Sequence, residues 1–138
     1  YVTDFPTDEL LGCQRIFVTP HLGASTPEAE ENCAHMAANQ LNDYLQYGNI
    51  RNSVNLPNCY LTPSSPFRLA ALHKNVTNMV GQITSILARH SVNIADMTNK
   101  SRGEIAYTLI GLDHPITDAC MAELTQVQDV IRLRTFAF

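Results

Sequence analysis

The sequence predicts an α+β chain: a short strand-and-helix piece followed by a small antiparallel domain. Three observations carry this. In residues 69–97, LAALHKNVTNMVGQITSILARHSVNIADM, the apolar positions Met79, Val80, Ile83, Ile86 and Leu87 fall at i, i+1, i+4, i+7 and i+8. That is one face of a helix, with a strand-like run on either side of it. From residue 68 onward the strands and helices alternate as βαββαβ, an order that folds as a ferredoxin-like sheet with both helices on one face. Finally, a helical period spans about 20 residues between Pro27 and Gly48 and gives way to a segment holding Pro57, Pro63 and Pro66.

Taken in order, Tyr1 to Asp4 reads as a short strand ended by the Pro6 turn, and Cys13 to Thr19 as a short buried strand through Ile16, Phe17 and Val18 that stops at Pro20. A helix then begins, with Thr26 as N-cap and Pro27 at N1, or with Ser25 as N-cap and Glu28 closing a capping box. It runs to about Tyr47 with Gly48 as its stop, packs through Ala29, Cys33, Met36, Ala37, Leu41, Tyr44 and Leu45, and carries Glu28, Glu30 and Glu31 in its first turns. Residues 49–66 read as irregular, with an extended piece at Ser53 to Leu56. The small domain follows: strand 68–73, helix 78–90, strand 92–99, a turn at Arg102-Gly103, strand 104–112, a helix capped by Thr117, and strand 129–136. These readings divide the chain into 1–57, a piece of a larger α/β domain; 58–66, a linker; and 67–138, the small domain. The strand 104–112 is fairly apolar on both faces, which suggests pairing with another copy.

The charge is −4 over 138 residues. Residues 1–66 hold seven acids and two bases, and 67–138 hold six acids and seven bases. Neither half forms a basic patch of the kind that tracks phosphate backbones, so nucleic acid is not an expected partner. No apolar run approaches ~20 residues, and no membrane span is expected. Cys13, Cys33, Cys59 and Cys120 contain no C-x-x-C pair, which reads as reduced thiols in a cytoplasmic protein. Glu31 and His35 have i, i+4 metal-ligand spacing but no third ligand, so no metal site is expected. Met79, Met97 and Met121 are read as core filling. The abrupt start, Tyr-Val-Thr-Asp-Phe-Pro, reads as a fragment of a longer protein.

At the junction of the first small-domain strand with its helix, His73, Lys74, Asn75 and Asn78 cluster where free backbone N–H groups and the positive helix end favour a carboxylate. Asn75, Thr77 and Asn78 would equally well shape the turn and cap the helix. The order His73-x-Asn75, helix, then Asn93 in Ser-Val-Asn-Ile-Ala resembles the regulatory ACT domain of the D-3-phosphoglycerate dehydrogenase family. The resemblance implies that His73, Asn75 and Asn93 hold L-serine between two subunits. It also implies a homodimer through the ACT domain, with a tetramer as a further assembly. Many ACT domains have Pro-Gly where this chain has Thr77-Asn78, and Asn tolerates the left-handed backbone such a turn needs.

The string Thr-Pro-His-Leu-Gly-Ala-Ser-Thr around His21 resembles the segment of D-2-hydroxyacid dehydrogenases that carries the catalytic histidine, and Asp4-Phe5-Pro6 resembles the segment leading to its acidic partner. The resemblance implies that His21 takes the hydroxyl proton as hydride leaves for NAD, with Asp8 or Glu9 in the partner's place to fix the imidazole tautomer. No G-x-G-x-x-G follows a strand in the 138 residues, so this segment alone is expected to bind no NAD and to be inactive. Two other readings compete with feedback control by serine. One is an ACT domain that serves only assembly; the other is a free-standing amino-acid sensor, which would have no use for the His21 loop.

Overall fold

The computed structural model describes all 138 residues, in two compact units, Tyr1–Asn39 and Gln40–Phe138. In the first, β1 (Val2–Thr3) pairs in parallel with β2 (Phe17–Val18), and a 3₁₀ turn covers Asp8–Leu10. The expected buried strand is therefore two residues long and exposed, since a two-stranded pair offers no second layer to cover it. Helix α1 spans Pro27–Tyr47, and Thr26 settles the choice of cap: its Oγ1 accepts from Ala29 N at 3.2 Å. The packing face read along this helix buries none of its residues; Met36, Leu41 and Leu45 are all exposed.

The second unit contains the sheet. Its elements are β3 (Phe67–Lys74), α2 (Met79–Arg89), β4 (Ile94–Arg102), β5 (Ile105–Leu112), α3 (Asp118–Thr125) and β6 (Val130–Ala137). The strand order is β4-β5-β3-β6, and every pairing is antiparallel, the βαββαβ topology that the sequence predicts. Gly103, at φ +59°, turns β4 into β5, and Thr117 caps α3 by accepting from Cys120 N at 3.3 Å.

Side chains alternate across the pleat, so each strand feeds two cores. Leu69, Ala71, Ile110 and Leu112 meet Ile83, Ile86 and Leu87 of α2 and Cys120 and Leu124 of α3. Of the predicted α2 face, Met79, Ile83, Ile86 and Leu87 are buried. Met97 is an exception to the core reading: on the edge strand β4 it is exposed. At the far ends of the helices, Glu123 of α3 accepts from Arg89 and lies 2.8 Å from His90 Nε2.

The opposite face is not bare. Ala70, Tyr107 and Leu109 are buried beneath Ile50, Cys59 and Leu61 of the same chain, with Tyr44, Leu56, Leu72 and Phe136 at the margin. Residues 40–57, expected with the N-terminal piece, and 58–66, expected as a linker, thus belong to the sheet unit. The extended pairing here is Ile50 with Cys59, not Ser53 to Leu56; Ser53 Oγ accepts from Leu56 N and bends that stretch. The apolar second face of β5 is explained in part by this cover. Burial pushes the Cys59 thiol up to about 11; all four cysteines are unbridged.

Three sheet residues bind the C-terminal carbonyls of α1, groups a helix cannot satisfy internally. Arg68 Nη1 donates to Tyr47 O (2.6 Å), Tyr107 Oη to Gly48 O (2.8 Å), and Arg134 to Tyr44 O and Leu45 O (3.4 and 3.2 Å). Gly48 ends the helix at φ +73°, and a Cβ there would stand 2.9 Å from the Phe136 ring.

Two outcomes test this packing. Tyr107→Phe leaves the Gly48 carbonyl unpaired in a buried place and should cost about 1–2 kcal/mol, with faster amide exchange at Ile50 and Cys59. The carboxyl of Glu123 is held below its ordinary value by its bonds to Arg89 and then His90. A depressed carboxyl stabilises the fold above its unfolded value of ~4.5 and loses that contribution as pH falls through the lower folded value. Acid unfolding curves of Glu123→Gln should therefore be flatter than wild type below about pH 4.5 and parallel to it above.

Candidate functional site

The corner where β3 meets α2 is set by backbone chemistry. Asn75 N donates to Glu104 O (2.8 Å) and its Nδ2 to Gly103 O (3.1 Å), pinning the end of β3 to the β4–β5 hairpin. Asn78 then turns the chain with φ +65°, the left-handed conformation expected of it, and occupies the N-cap of α2 without a side-chain cap bond. Gly81 leaves room for the Asn78 amide, since a Cβ there would meet Oδ1 at 2.3 Å.

His73 is 2% exposed. Its Nδ1 lies 2.8 Å from Lys74 O and its Nε2 2.9 Å from Thr108 Oγ1, which in turn lies 3.0 Å from the Asn99 side-chain amide. Lys74 Nζ pairs with Asp129 at 2.9 Å beside it, and this bond raises the lysine's affinity for its proton. Thr108 and Asn99 were not singled out by sequence reasoning. The signal was a hydroxyl at an inward position of an otherwise apolar strand.

Asn93 is elsewhere. Its Nδ2 donates to Asp113 Oδ2 at 2.5 Å, just before β4 begins opposite Leu112, whereas His73 is paired with Ala106 at the other end of β5. Seven residues of strand at ~3.4 Å each separate the two, about 24 Å. One chain brings His73 and Asn75 together and holds Asn93 apart from them.

In the first unit, His21 Nδ1 is 3.0 Å from Asp4 Oδ2, and the Phe5 ring packs 4.3 Å from the imidazole. The carboxylate beside His21 is thus Asp4, not Asp8 or Glu9. Parallel pairing of β1 with β2 places the residues that follow both strands at the same end, while Asp8 and Glu9 are carried off in the 3₁₀ turn. A proton on Nδ1 shared with Asp4 leaves Nε2 as the nitrogen able to accept one. His35 and Glu31 are 3.7 Å apart on exposed helix surface, and no group of three metal-ligating side chains forms.

Substitution at the turn should separate backbone need from ligand need. Asn78→Ala places an unsuited residue at positive φ and should lose about 1 kcal/mol, while Asn78→Gly should match wild type within about 0.5 kcal/mol in urea unfolding.

No protein-family model matches the chain. Among curated proteins it is 35% identical over 108 residues to D-3-phosphoglycerate dehydrogenase 1 of Saccharomyces cerevisiae, covering 75% of this chain and 23% of that protein. It is 34% identical over 106 residues to a putative D-3-phosphoglycerate dehydrogenase of Schizosaccharomyces pombe, covering 73% and 22%. With the D-3-phosphoglycerate dehydrogenase of Escherichia coli it shares 28% over 130 residues, 93% of this chain and 32% of that one. Among solved structures, the ACT domain from GTP pyrophosphokinase of Chlorobium tepidum aligns with 51% of this chain and 95% of its own, at TM-score 0.45 and 19% identity. The chain spans between about a fifth and a third of the length of these curated relatives. Over roughly three quarters or more of its residues, this chain is similar in sequence to the C-terminal part of D-3-phosphoglycerate dehydrogenases.

Proposed function

We propose that this segment is the regulatory part of a D-3-phosphoglycerate dehydrogenase and that its sheet domain is an ACT domain binding L-serine between two copies as a feedback inhibitor. The observation that carries the two-copy reading is the separation of Asn93 from the His73–Asn75 corner within one chain. β4 is an edge strand that begins beside Asn93 and ends at the hairpin to which Asn75 is bonded. Two β4 edges paired antiparallel across a two-fold axis bring the start of one strand alongside the end of the other. Asn93 of one copy then meets the corner of its partner, twice per dimer. Serine held there fixes the relative orientation of the subunits and so opposes closure of the enzyme over 3-phosphoglycerate.

In the same proposal His21 is the acid/base of a cytoplasmic oxidoreductase, with Asp4 holding its tautomer, and NAD would supply the hydride acceptor. The 138 residues contain no Gly-rich turn between a strand and a helix that could cradle the dinucleotide, so this chain's contribution to the reaction is the proton at His21 Nε2.

One observation favours an assembly role without a ligand: His73, Asn75 and Asn93 all have partners within the chain. Calorimetric titration of L-serine into the dimer decides between the two. The proposal expects saturable binding, abolished by Asn93→Ala in a variant whose unfolding free energy stays within about 1 kcal/mol of wild type. Equal heats from wild type and Asn93→Ala would remove Asn93 from the serine site and overturn the two-copy reading, and no heat from either would leave the sheet domain as an assembly module.

A further inference from the structure

The sheet unit holds a cleft of about 570 Å³ on the face opposite its helices, where the end of β4 meets the strap formed by residues 49–61. Strand alternation sets one wall. Lys100 and Arg102 are two residues apart on β4, so both point to the same face. Lys100 is paired with Tyr107, which is buried among the strap residues, and cross-strand partners share a face. The strap supplies the facing wall through Asn52, Ser53, Pro57 and Asn58.

The hydrogen bonds within these walls leave donors over. Asn52, at φ +53°, gives its backbone N–H to Asn58 Oδ1 at 2.8 Å, so Asn58 keeps its NH2 group to offer. Ser53 Oγ donates to Asn55 Oδ1 (2.9 Å) and accepts from Leu56 N (3.1 Å), while Ser53 O takes an N–H of Arg102 Nη1 at 2.9 Å. The other guanidinium N–H groups and the Lys100 ammonium meet no carboxylate, since neither residue belongs to any ion pair of the chain. No acidic residue lines the cleft. Two cations and an amide NH2 around such a space favour an anion.

We propose that this cleft binds a phosphate monoester, with Lys100 and Arg102 as its charged ligands and Asn58 as a neutral donor. A phosphate monoester carries close to two negative charges at neutral pH on three acceptor oxygens, which balances both cations where a single carboxylate balances one. Arg102 presents a planar fork that suits neighbouring phosphate oxygens, and Lys100 a point charge. The cleft has the size of a small-molecule site and exceeds a phosphate group alone, so an organic substituent enters with it. An anion seated there touches both the strap and β4 and stabilises their closure. The site uses neither Asn93 nor the His73–Asn75 corner, and it stands or falls apart from the amino-acid reading.

The test titrates the 138-residue chain with inorganic phosphate and with glycerol 1-phosphate, against sodium chloride at matched ionic strength, and follows backbone amide shifts and the thermal midpoint. Both phosphates should give saturable shifts centred on Asn52, Asn58, Lys100 and Arg102 and should raise the midpoint, with glycerol 1-phosphate the tighter ligand. Lys100→Gln should keep the wild-type midpoint without phosphate and bind glycerol 1-phosphate about tenfold more weakly. Arg102→Lys keeps the charge but loses the fork, and should also bind it more weakly. Arg132→Gln removes an exposed cation from β6 and should bind it as wild type does. Shifts that sodium chloride reproduces, or equal weakening by Lys100→Gln and Arg132→Gln, would reduce the effect to general ionic attraction and overturn the site. Unchanged affinity in Lys100→Gln overturns it as well, and tighter binding of inorganic phosphate than of glycerol 1-phosphate overturns the monoester.

Discussion

The buried guanidinium of Arg68 is the constraint on which the sheet unit depends. At 1% exposure it has no carboxylate among its hydrogen-bond partners; Nη1 and Nη2 are spent on Tyr47 O, Leu61 O and Asn49 Oδ1, and Nε has no partner at all. Burial accordingly pulls its proton affinity down. A charge so placed is tolerable only while those acceptors stay where they are. The end of α1 and the strap through Leu61 are therefore held against the sheet by the cost of leaving Arg68 unmatched, as much as by the apolar contacts of Ile50, Cys59 and Leu61. Arg134, over the Tyr44 and Phe136 rings, and Tyr107 add to the same grip.

That grip gives the two faces of one sheet different work. The face under α2 and α3 is a conventional apolar core with a polar row, His73, Thr108 and Asn99, at the corner next to the α2 N-terminus. The other face is closed by the chain's own preceding segment. The sheet has two edges, β4 and β6, and the β4 edge runs from beside Asn93 to the corner. Residues about 24 Å apart in one chain, as Asn93 and His73 are, do not meet within it.

Much of this was legible. The α2 face, the βαββαβ order, the Thr117 cap and the left-handed role of Asn78 each rest on local chemistry: a 3.6-residue period, a hydroxyl before a helix, an amide side chain that tolerates positive φ. Local rules failed where the partner is distant. Ser53 to Leu56 looks extended, yet the bridge is Ile50 to Cys59; Met97 looks like core, yet sits on an edge. The sequence around His21 offers Asp8 or Glu9 as its carboxylate, yet strand pairing brings Asp4 there.

The sequence by itself determined which residues could be strand, helix and turn, and which side chains carry chemistry, because periodicity, capping and φ preferences act over a few neighbours. Only the tertiary structure decided that residues 40–66 close the second face, that Arg68 is stranded among carbonyls, that Thr108 and Asn99 complete a row with His73, and that Asn93 is out of its reach. Each of these is a meeting of residues far apart in the chain, fixed by strand register and by the need to match buried polar groups, and neither is written in any one stretch of sequence.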